Sequence, residues 1–548
     1  MTRVLVIGAG LAGLISAIRL ARGGAEVTLV AKGLGGLPIS PGVIDVWGYQ
    51  MDETARTQRD LRDDPPVRLG VELVDQSHLS DERVTAEAPA APGAQAANRR
   101  AVLVGGGPGQ ASTLPPARNS VPPPLWTPVV DPVAAVSAAP DWHPYSVIGV
   151  DAVRAGLELL SALSDGLLVG EPNKNLWLPT AVGALRPTCL AQVSMSTPDL
   201  LEPVNSRKRD KLASSSSESP DSTDFEHLGT SLSHNLSGRP LAIVGLRRLK
   251  DFNPALIAGN LARTPLPDGT RLTARPLMID VPARPGEADS SALTYARAFD
   301  EPGFALRVAA ALRPLLDDGE AVGFPAVLGL HDREVWRTLA DELGHPVFEI
   351  PLPPPSVPGL RLNDTLTAAA KAAGVRFVLG SAVVGLQTDA DRVTSVTLDT
   401  AGHPTRLTAD AYVLATGGFE SGGLALDSHG TLTEPTFNLP VWTERHAARS
   451  RSSHASGGSC GFAQDDGKAE THNGSFNDDP WAPQPLFASG LRVDTAMRPL
   501  DAAGRPVHTN VHAAGGLLAG AQRWLELSGD GIALGSAIAA ADAIGDTR

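Results

Sequence analysis

The chain has 548 residues, 42% of them hydrophobic, which is ample for a buried core and allows three or four domains. A formal net charge of −14 and a pI near 5.4 argue against non-specific binding to nucleic acid or anionic lipid, both of which call for a basic patch. Two cysteines, Cys189 and Cys460, far apart and in no Cys-x-x-Cys pair, exclude an iron–sulfur cluster or zinc ribbon built by this chain alone, and no metal site is expected.

The first patterned stretch, residues 4 to 32, reads as strand, glycine turn, helix and second strand. Val4-Leu-Val-Ile7 has the unbroken apolarity of a strand buried on both faces, while Leu14, Ala17, Ile18 and Ala21 recur at helical spacing. Between them stand Gly8 for a tight turn, Gly10 so that backbone can approach a pyrophosphate, and Gly13 for close packing of helix on strand. The helix then aims unpaired amides at phosphate, so a nucleotide or flavin site is expected here. The acid that usually holds the adenosine ribose, about 20 residues on, is missing. The second strand ends Leu29-Val-Ala-Lys32-Gly33, and Glu26 stands too early. Either the ribose is held another way, or the ligand has no adenosine half. Lys32 suits a 2′-phosphate or simply solvent.

With a strand opening at Val4 there is no room for a cleavable leader, and no apolar run approaches the ~18 residues that span a bilayer. A cytoplasmic location without direct membrane insertion is expected. The loop Gly33 to Asp45, with Ser40 and Gly42, suits a wall for a planar ring, or is an ordinary Gly/Pro loop. Residues 86–140 are dominated by Ala, Pro, Gly and Ser and read as a low-order insertion. His143-Pro-Tyr145 then precedes an amphipathic helix through Val153, Leu157, Leu160 and Leu163. It places an imidazole and a phenol near a cleft edge, for chemistry or for packing. Arg186 follows a glycine turn, where it either grips a phosphate or carboxylate bidentately or makes a surface salt bridge. Residues 194–239 are serine-rich and charged, a second low-order insertion.

Leu241 to Gly245 is a strand, and Asn253 with Pro254 makes a good helix start, as cap and first helical residue. The glycine spacing of the first site is absent there. A second fold for NAD(P)H is therefore not supported, which moves the electron partner towards protein or quinone. One helix is expected between 292 and 316, and another after the proline run Pro351 to Pro358, up to Gly374. Residues 240–360 read as a second domain covering the first site. Gly374 to Leu379 is a strand and Val383 to Leu398 a hairpin. Ala411 to Gly418 is a buried strand ending in a turn that brings Thr416 and Gly417 to the nucleotide. Residues 426–481 form a third low-order insertion, in which His446, His454 and His472 lack metal-ligand spacing. The chain then repeats strand, glycine turn and helix, with Gly516, Gly529 and Gly531. A helix N-terminus there would stabilise the negative charge of a reduced flavin, and glycine at 529 and 531 permits that approach.

Several runs together resemble the B-subunit family of anaerobic glycerol-3-phosphate dehydrogenases, related to the two-dinucleotide-binding-domain flavoproteins. They are Gly8-x-Gly10-Leu-Ala-Gly13, Ser40-x-Gly42-Val-Ile-Asp45, His143-Pro-Tyr-Ser146, Pro353-Pro-Pro-Ser-Val-Pro-Gly-Leu-Arg361 and Thr416-Gly-Gly-Phe-Glu-Ser-Gly-Gly-Leu424. The resemblance implies an α/β, Rossmann-like FAD/NAD(P)-binding fold with a second α+β domain. The flavin-binding domain would be assembled from 1–85, 141–193, 361–425 and 482–548, with 240–360 as the substrate or cap domain. The implied reaction is oxidation of sn-glycerol 3-phosphate to dihydroxyacetone phosphate, with electrons passed to quinone. The implied partners are a catalytic FAD subunit and an iron–sulfur subunit, through which the chain would sit at the inner face of the cell membrane. Its own cofactor would be FMN, with FAD as the alternative. Arg186, Arg361 and Arg247 are candidates for the substrate phosphate, and His143, Tyr145 and His331 for a base. Two departures stand out. Gly516 falls where FAD folds often carry an acid for the ribitol, and Arg523-Trp-Leu-Glu-Leu-Ser-Gly-Asp-Gly531 replaces a glycine-rich run before the last helix. A non-catalytic electron-transfer or assembly subunit, and a stand-alone flavin oxidoreductase of another substrate, are the competing readings.

Overall fold

The computed structural model describes residues 1–51, 126–196, 239–266, 271–443 and 484–546. Backbone contacts gather Met1–Gln50 with Thr127–Arg548 into one unit, and Met51–Trp126 into a second, described only at its two end residues.

The chain opens with β1 (Arg3–Ile7), α1 (Leu11–Arg22) and β2 (Glu26–Ala31). Val4 to Ile7 are all buried, as a strand covered on both faces requires. Gly8 has φ +116°, and a Cβ on it would overlap the Ala415 carbonyl, so conformation and packing both demand glycine. A Cβ on Gly13 would overlap the Gly8 carbonyl in turn, which is the close helix-on-strand contact its spacing predicts. Further on, α2 (Val150–Ser164) buries Val153, Leu157, Leu160 and Leu163 along one face. A hairpin of β3 (Leu176–Pro179) and β4 (Leu185–Thr188) carries Arg186 on its second strand.

A second sheet follows, built from β5 (Pro240–Leu246), α3 (Pro254–Arg263), β6 (Thr273–Ile279), α4 (Ala292–Phe299), α5 (Phe304–Leu312), β7 (Ala321–Pro325), α6 (Val335–Leu343) and β8 (Val347–Ile350). Its strands are all parallel, in the order β6-β5-β7-β8. Asn253 caps α3 as expected, its side chain accepting from the Leu256 amide at 3.1 Å. The single helix expected over 292–316 is two, because Gly303 turns left-handed at φ +83° between them. Ile243, Val244, Phe304, Phe324 and Phe348 centre a core of their own.

The chain returns to the first sheet through α7 (Val357–Ala372), capped by Ser356, and β9 (Arg376–Leu379). Next, β10 (Ala382–Asp389), β11 (Arg392–Asp399) and β12 (Thr405–Leu407) form an antiparallel sheet whose first two strands are the expected hairpin. Addition of β13 (Ala411–Leu414) and β14 (Val511–Ala513) completes a parallel sheet ordered β9-β2-β1-β13-β14. One helical turn, α8 (Arg523–Glu526), precedes α9 (Gly529–Asp546), which packs on α1 and α2. This mixed α/β architecture with parallel sheets is the Rossmann-like class that the glycine pattern implies.

Two stretches expected to be low-order insertions hold ordered structure. Within 86–140, Trp126–Pro128 is a strand and Pro132–Ser137 a helix, because Asp131 caps it, Pro132 starts it, and Val133 and Val136 are buried. Within 426–481, Leu432–Thr433 pairs antiparallel with Ala425–Leu426. His446, His454 and His472 lie outside the described residues. Among the described residues, no group of His, Cys, Asp or Glu is placed to hold a metal ion, and no helix is long and apolar enough to cross a membrane.

Candidate functional site

Three neighbouring strands, β1, β13 and β14, each end in a glycine turn at the carboxyl edge of the sheet, where open α/β sheets take their ligands. The turns are Gly8 to Gly10, Thr416 to Gly418, and Gly515 to Gly516. A Cβ on Gly516 would lie 3.2 Å from the Gly418 amide nitrogen, and one on Gly515 3.0 Å from the Ala12 Cβ, so the turns face one another. A Cβ on Gly10 would meet only the Gly36 nitrogen, at 3.9 Å. Space is therefore open before the first amides of α1, which no side chain caps. Thr416 Oγ1 is buried without a hydrogen-bond partner among the described residues. A phosphorylated flavin fits the open helix start, whose amides would donate to its phosphate oxygens, and the Thr416 hydroxyl is a free donor in the neighbouring turn.

Of the other residues expected at the cofactor, Ser40, Gly42 and Gly531 make packing contacts and Gly529 does not. Ser40 Oγ donates to the Leu37 carbonyl at 2.9 Å and accepts from the Gly42 amide at 3.2 Å. Gly42, at φ +74°, would carry a Cβ 2.5 Å from the Pro358 side chain. Together they dock the loop after β2 onto the start of α7. A Cβ on Gly531 would lie 2.9 Å from the Val46 Cα and collide with Tyr145 Oη, so this glycine admits the phenol rather than a ring of the ligand. Gly529 opens α9, with only the Arg523 Cβ, at 3.9 Å, near the position of its missing side chain.

Beside the start of α9 lie two neighbouring carboxylates, buried Asp45 and partly exposed Asp530. Thr188 Oγ1 donates to Asp45 Oδ1 at 2.6 Å, the Arg186 guanidinium donates to Asp45 Oδ2, and the Asp45 amide donates to Asp530 Oδ2 at 3.1 Å. Burial raises the Asp45 pKa against the opposing pull of Arg186 and Thr188. Burial, and then the Asp45 charge, push Asp530 up to about 7. Two carboxylates sharing one cation cannot both ionise cheaply, so the pair keeps a proton near neutrality. Arg186, for which the sequence leaves a phosphate or carboxylate grip and a surface salt bridge as alternatives, is paired with the Asp45 carboxylate.

His143 has no exposed surface. Its Nδ1 accepts from the Tyr145 amide at 3.2 Å, its Nε2 lies 3.2 Å from Glu526 Oε2, and its ring stacks on Trp47 with centroids 4.7 Å apart. The neutral ring thus carries its proton on Nε2, directed at Glu526. Tyr145 Oη donates to the Val46 carbonyl at 2.5 Å, and burial, then the Glu526 charge, push its pKa well up. Both side chains are enclosed and already hydrogen-bonded. His143 fastens α8 through Glu526, which also accepts from Ser528 Oγ at 2.9 Å, and Tyr145 Oη reaches the Ser528 carbonyl just beyond that helix at 3.1 Å. From that helix Arg523 turns inward, donating through Nη1 to the Gly516 carbonyl. Burial lowers its pKa, against the pull of Glu420 and Glu526.

The remaining candidates belong to the second sheet. Arg361 is 3% exposed and pairs with Glu349 at 2.7 Å while donating to the carbonyls of Leu328 and Gly329 at 3.0 and 2.8 Å. It locks α7 onto β8 and is not free for a phosphate. His331 is exposed, in a loop whose amides at Leu330, His331 and Asp332 converge on Asp300 Oδ1. Arg247 is exposed, 3.8 Å from Asp280. Sequence reasoning passed over Asp45, Asp530, Arg523 and Glu526 as site residues. The only local signals were an Asp between two glycines at a helix start and the arginine in place of a glycine-rich run.

A parallel sheet whose strand ends form such a cradle defines a flavin-binding class of protein, and the family model described as FAD binding domain matches residues 3–93 and 127–532. A Halobacterium salinarum protein, named as the probable B subunit of an anaerobic glycerol-3-phosphate dehydrogenase, is 31% identical over 427 residues, covering 76% of this chain and 84% of the relative. A Pectobacterium atrosepticum protein, named as the B subunit of anaerobic glycerol-3-phosphate dehydrogenase, is 26% identical over 544 residues, covering 99% of this chain and 98% of the relative. The solved structure of 3-ketosteroid delta1-dehydrogenase from Sterolibacterium denitrificans aligns over 100% of both chains at 11% identity, with a TM-score of 0.37. The chain belongs to the FAD-binding-domain family and to the B-subunit family of anaerobic glycerol-3-phosphate dehydrogenases. It is a flavin-dependent oxidoreductase of that kind.

Proposed function

We propose that this chain is the flavin subunit of a complex that oxidises sn-glycerol 3-phosphate to dihydroxyacetone phosphate and passes the electrons to quinone. A catalytic FAD subunit and an iron–sulfur subunit would accompany it. The observation that carries the reading is the strand-end cradle in a chain that matches a B-subunit relative over nearly the full length of both. In this reading the α1 amides, Gly10, Thr416 and Gly417 hold the flavin phosphate, and residues 240–360 cap the flavin. When bound, a flavin supplies the two-electron acceptor for hydride from the substrate C2. Exposed Lys32 stands in place of a ribose-binding acid, and Gly516 offers the ribitol no carboxylate, which supports FMN over FAD. The alcohol must also release a proton. The ionised fraction of Asp530, whose pKa stands at about 7 beside Asp45, is the acceptor this reading assigns, since His143 and Tyr145 are enclosed. Attachment to the inner face of the cell membrane would run through the partners, the chain itself remaining cytoplasmic.

A second reading, a flavin subunit that relays electrons without touching substrate, is favoured by one observation. Arg186 and Arg361, the expected phosphate grips, are both already paired with carboxylates. Co-purification with the partner subunits and anaerobic addition of glycerol 3-phosphate separates the two. Bleaching of this chain's flavin that survives Asp530→Asn but slows with it supports the first reading. Bleaching by substrate only while the catalytic subunit is present, at a rate unchanged by Asp530→Asn, supports the second.

A further inference from the structure

We propose that Arg523 is a cationic clamp on the phosphate of the bound flavin, closing the strand-end crevice opposite the amides of α1. The proposal rests on the flavin reading. In α8 the side chains of Trp524 and Leu525 are 62% and 40% exposed, whereas that of Arg523 is only 10% exposed and reaches between two of the glycine turns. A Cβ on Gly418 would lie 2.5 Å from Arg523 Nη2, and one on Gly516 2.9 Å from Nη1. Neither glycine has a positive φ, so backbone conformation does not require them. What they provide is room for a guanidinium.

The cation is only partly matched by its surroundings. Nη1 donates to the neutral Gly516 carbonyl, Glu420 forms a loose ion pair 3.9 Å from Nη2 without a hydrogen bond, and Glu526 adds a second negative charge nearby. A guanidinium drawn this far from water is costly unless an anion joins it, and its planar fork suits a phosphate. The helical turn that carries Arg523 is fixed in place. Glu526, in the same turn of helix, is tied to His143 and Ser528, and its carbonyl accepts from the Gly48 amide at 2.8 Å. A Cβ on Gly515, beside Gly516, would meet Ala12 near the start of α1, so the turn that holds the guanidinium also adjoins the uncapped end of that helix. Amides on one side and a fixed positive charge on the other would neutralise a phosphate monoester of FMN, or part of the diphosphate of FAD.

The test is titration of the flavin-free full chain with FMN, FAD and riboflavin, followed by quenching of flavin fluorescence. Riboflavin has the ring and ribitol but no phosphate. Arg523→Gln should weaken the phosphorylated flavin roughly 10- to 100-fold and riboflavin by less than about threefold. Arg523→Lys should recover part of the loss. Gly516→Ala, which pushes the guanidinium aside without removing it, should show the same selective loss and serves if the glutamine variant does not fold. Equal losses for FMN and riboflavin would assign Arg523 to packing and overturn the proposal, as would no loss at all. A wild-type chain that binds riboflavin as tightly as FMN overturns the proposal alone. One that takes up no flavin overturns the flavin reading with it.

Discussion

Replacing Asp530 by asparagine removes a charge that the fold resists forming, while leaving an oxygen to accept from the Asp45 amide. The carboxyl titrates near 3.8 when unfolded and about 7 when folded. Between those values the folded state holds the extra proton, so stability falls as pH rises, by at most about 1.4 kcal/mol per pH unit. Across the interval of roughly three units the ceiling is about 4 kcal/mol. Asp530 keeps some exposure and Arg186 lies close by, so we expect about 2 kcal/mol. Asp530→Asn should therefore differ little from wild type near pH 4, gain on it steadily to pH 7, and hold a constant lead at pH 8. Urea unfolding of the full chain, followed by tryptophan fluorescence at pH 5, 6, 7 and 8, measures the difference. Groups other than the altered pair titrate alike in both proteins and cancel. Parallel pH profiles for the two proteins would refute the shared-proton account of Asp45 and Asp530.

Gly8→Ala and Gly10→Ala should part company. The first places a Cβ into the Ala415 carbonyl at φ +116° and should cost more than about 3 kcal/mol, seen as loss of soluble protein. The second enters open space and should change the unfolding free energy of the flavin-free chain in urea by less than about 0.5 kcal/mol, while flavin is lost on gel filtration. Arg361→Ala strands Glu349 without its partner and should destabilise by about 3–5 kcal/mol in the same unfolding assay. Heat-released cofactor, separated chromatographically, should be FMN; recovery of FAD would show that the ribose is held without an acid at position 32.

What could be read from the residues was whatever obeys local rules. Residues 4 to 32 carry apolar runs and glycines whose roles depend on neighbours a few positions away, and Asn253 with Pro254 needs only its own helix. The shared proton was hidden because Asp45 and Asp530 are 485 positions apart, and neither is unusual until burial brings them together. Arg361 shows the converse. An arginine in a proline- and glycine-rich run suggests a ligand grip, and only its contact with Glu349, 12 residues earlier, reveals a lock between α7 and β8. His143 and Tyr145 look reactive as residue types. The stacking of His143 on Trp47, and the ties of the two side chains to Glu526 and Val46, come from segments with no sequence link to them.

The pairing of β1 with β13 sets a timetable for biogenesis. Val4 to Ile7 lie beside Ala411 to Leu414, so roughly 400 residues must follow β1 out of the ribosome before its neighbour exists, on the order of 20–80 s at ~5–20 residues/s. During that delay one edge of β1 is bare and open to stray pairing. Two of the three glycine turns are then still unmade, so prosthetic-group loading has to await near-complete synthesis, and early chaperone cover of the emerging N-terminal strand would raise the yield.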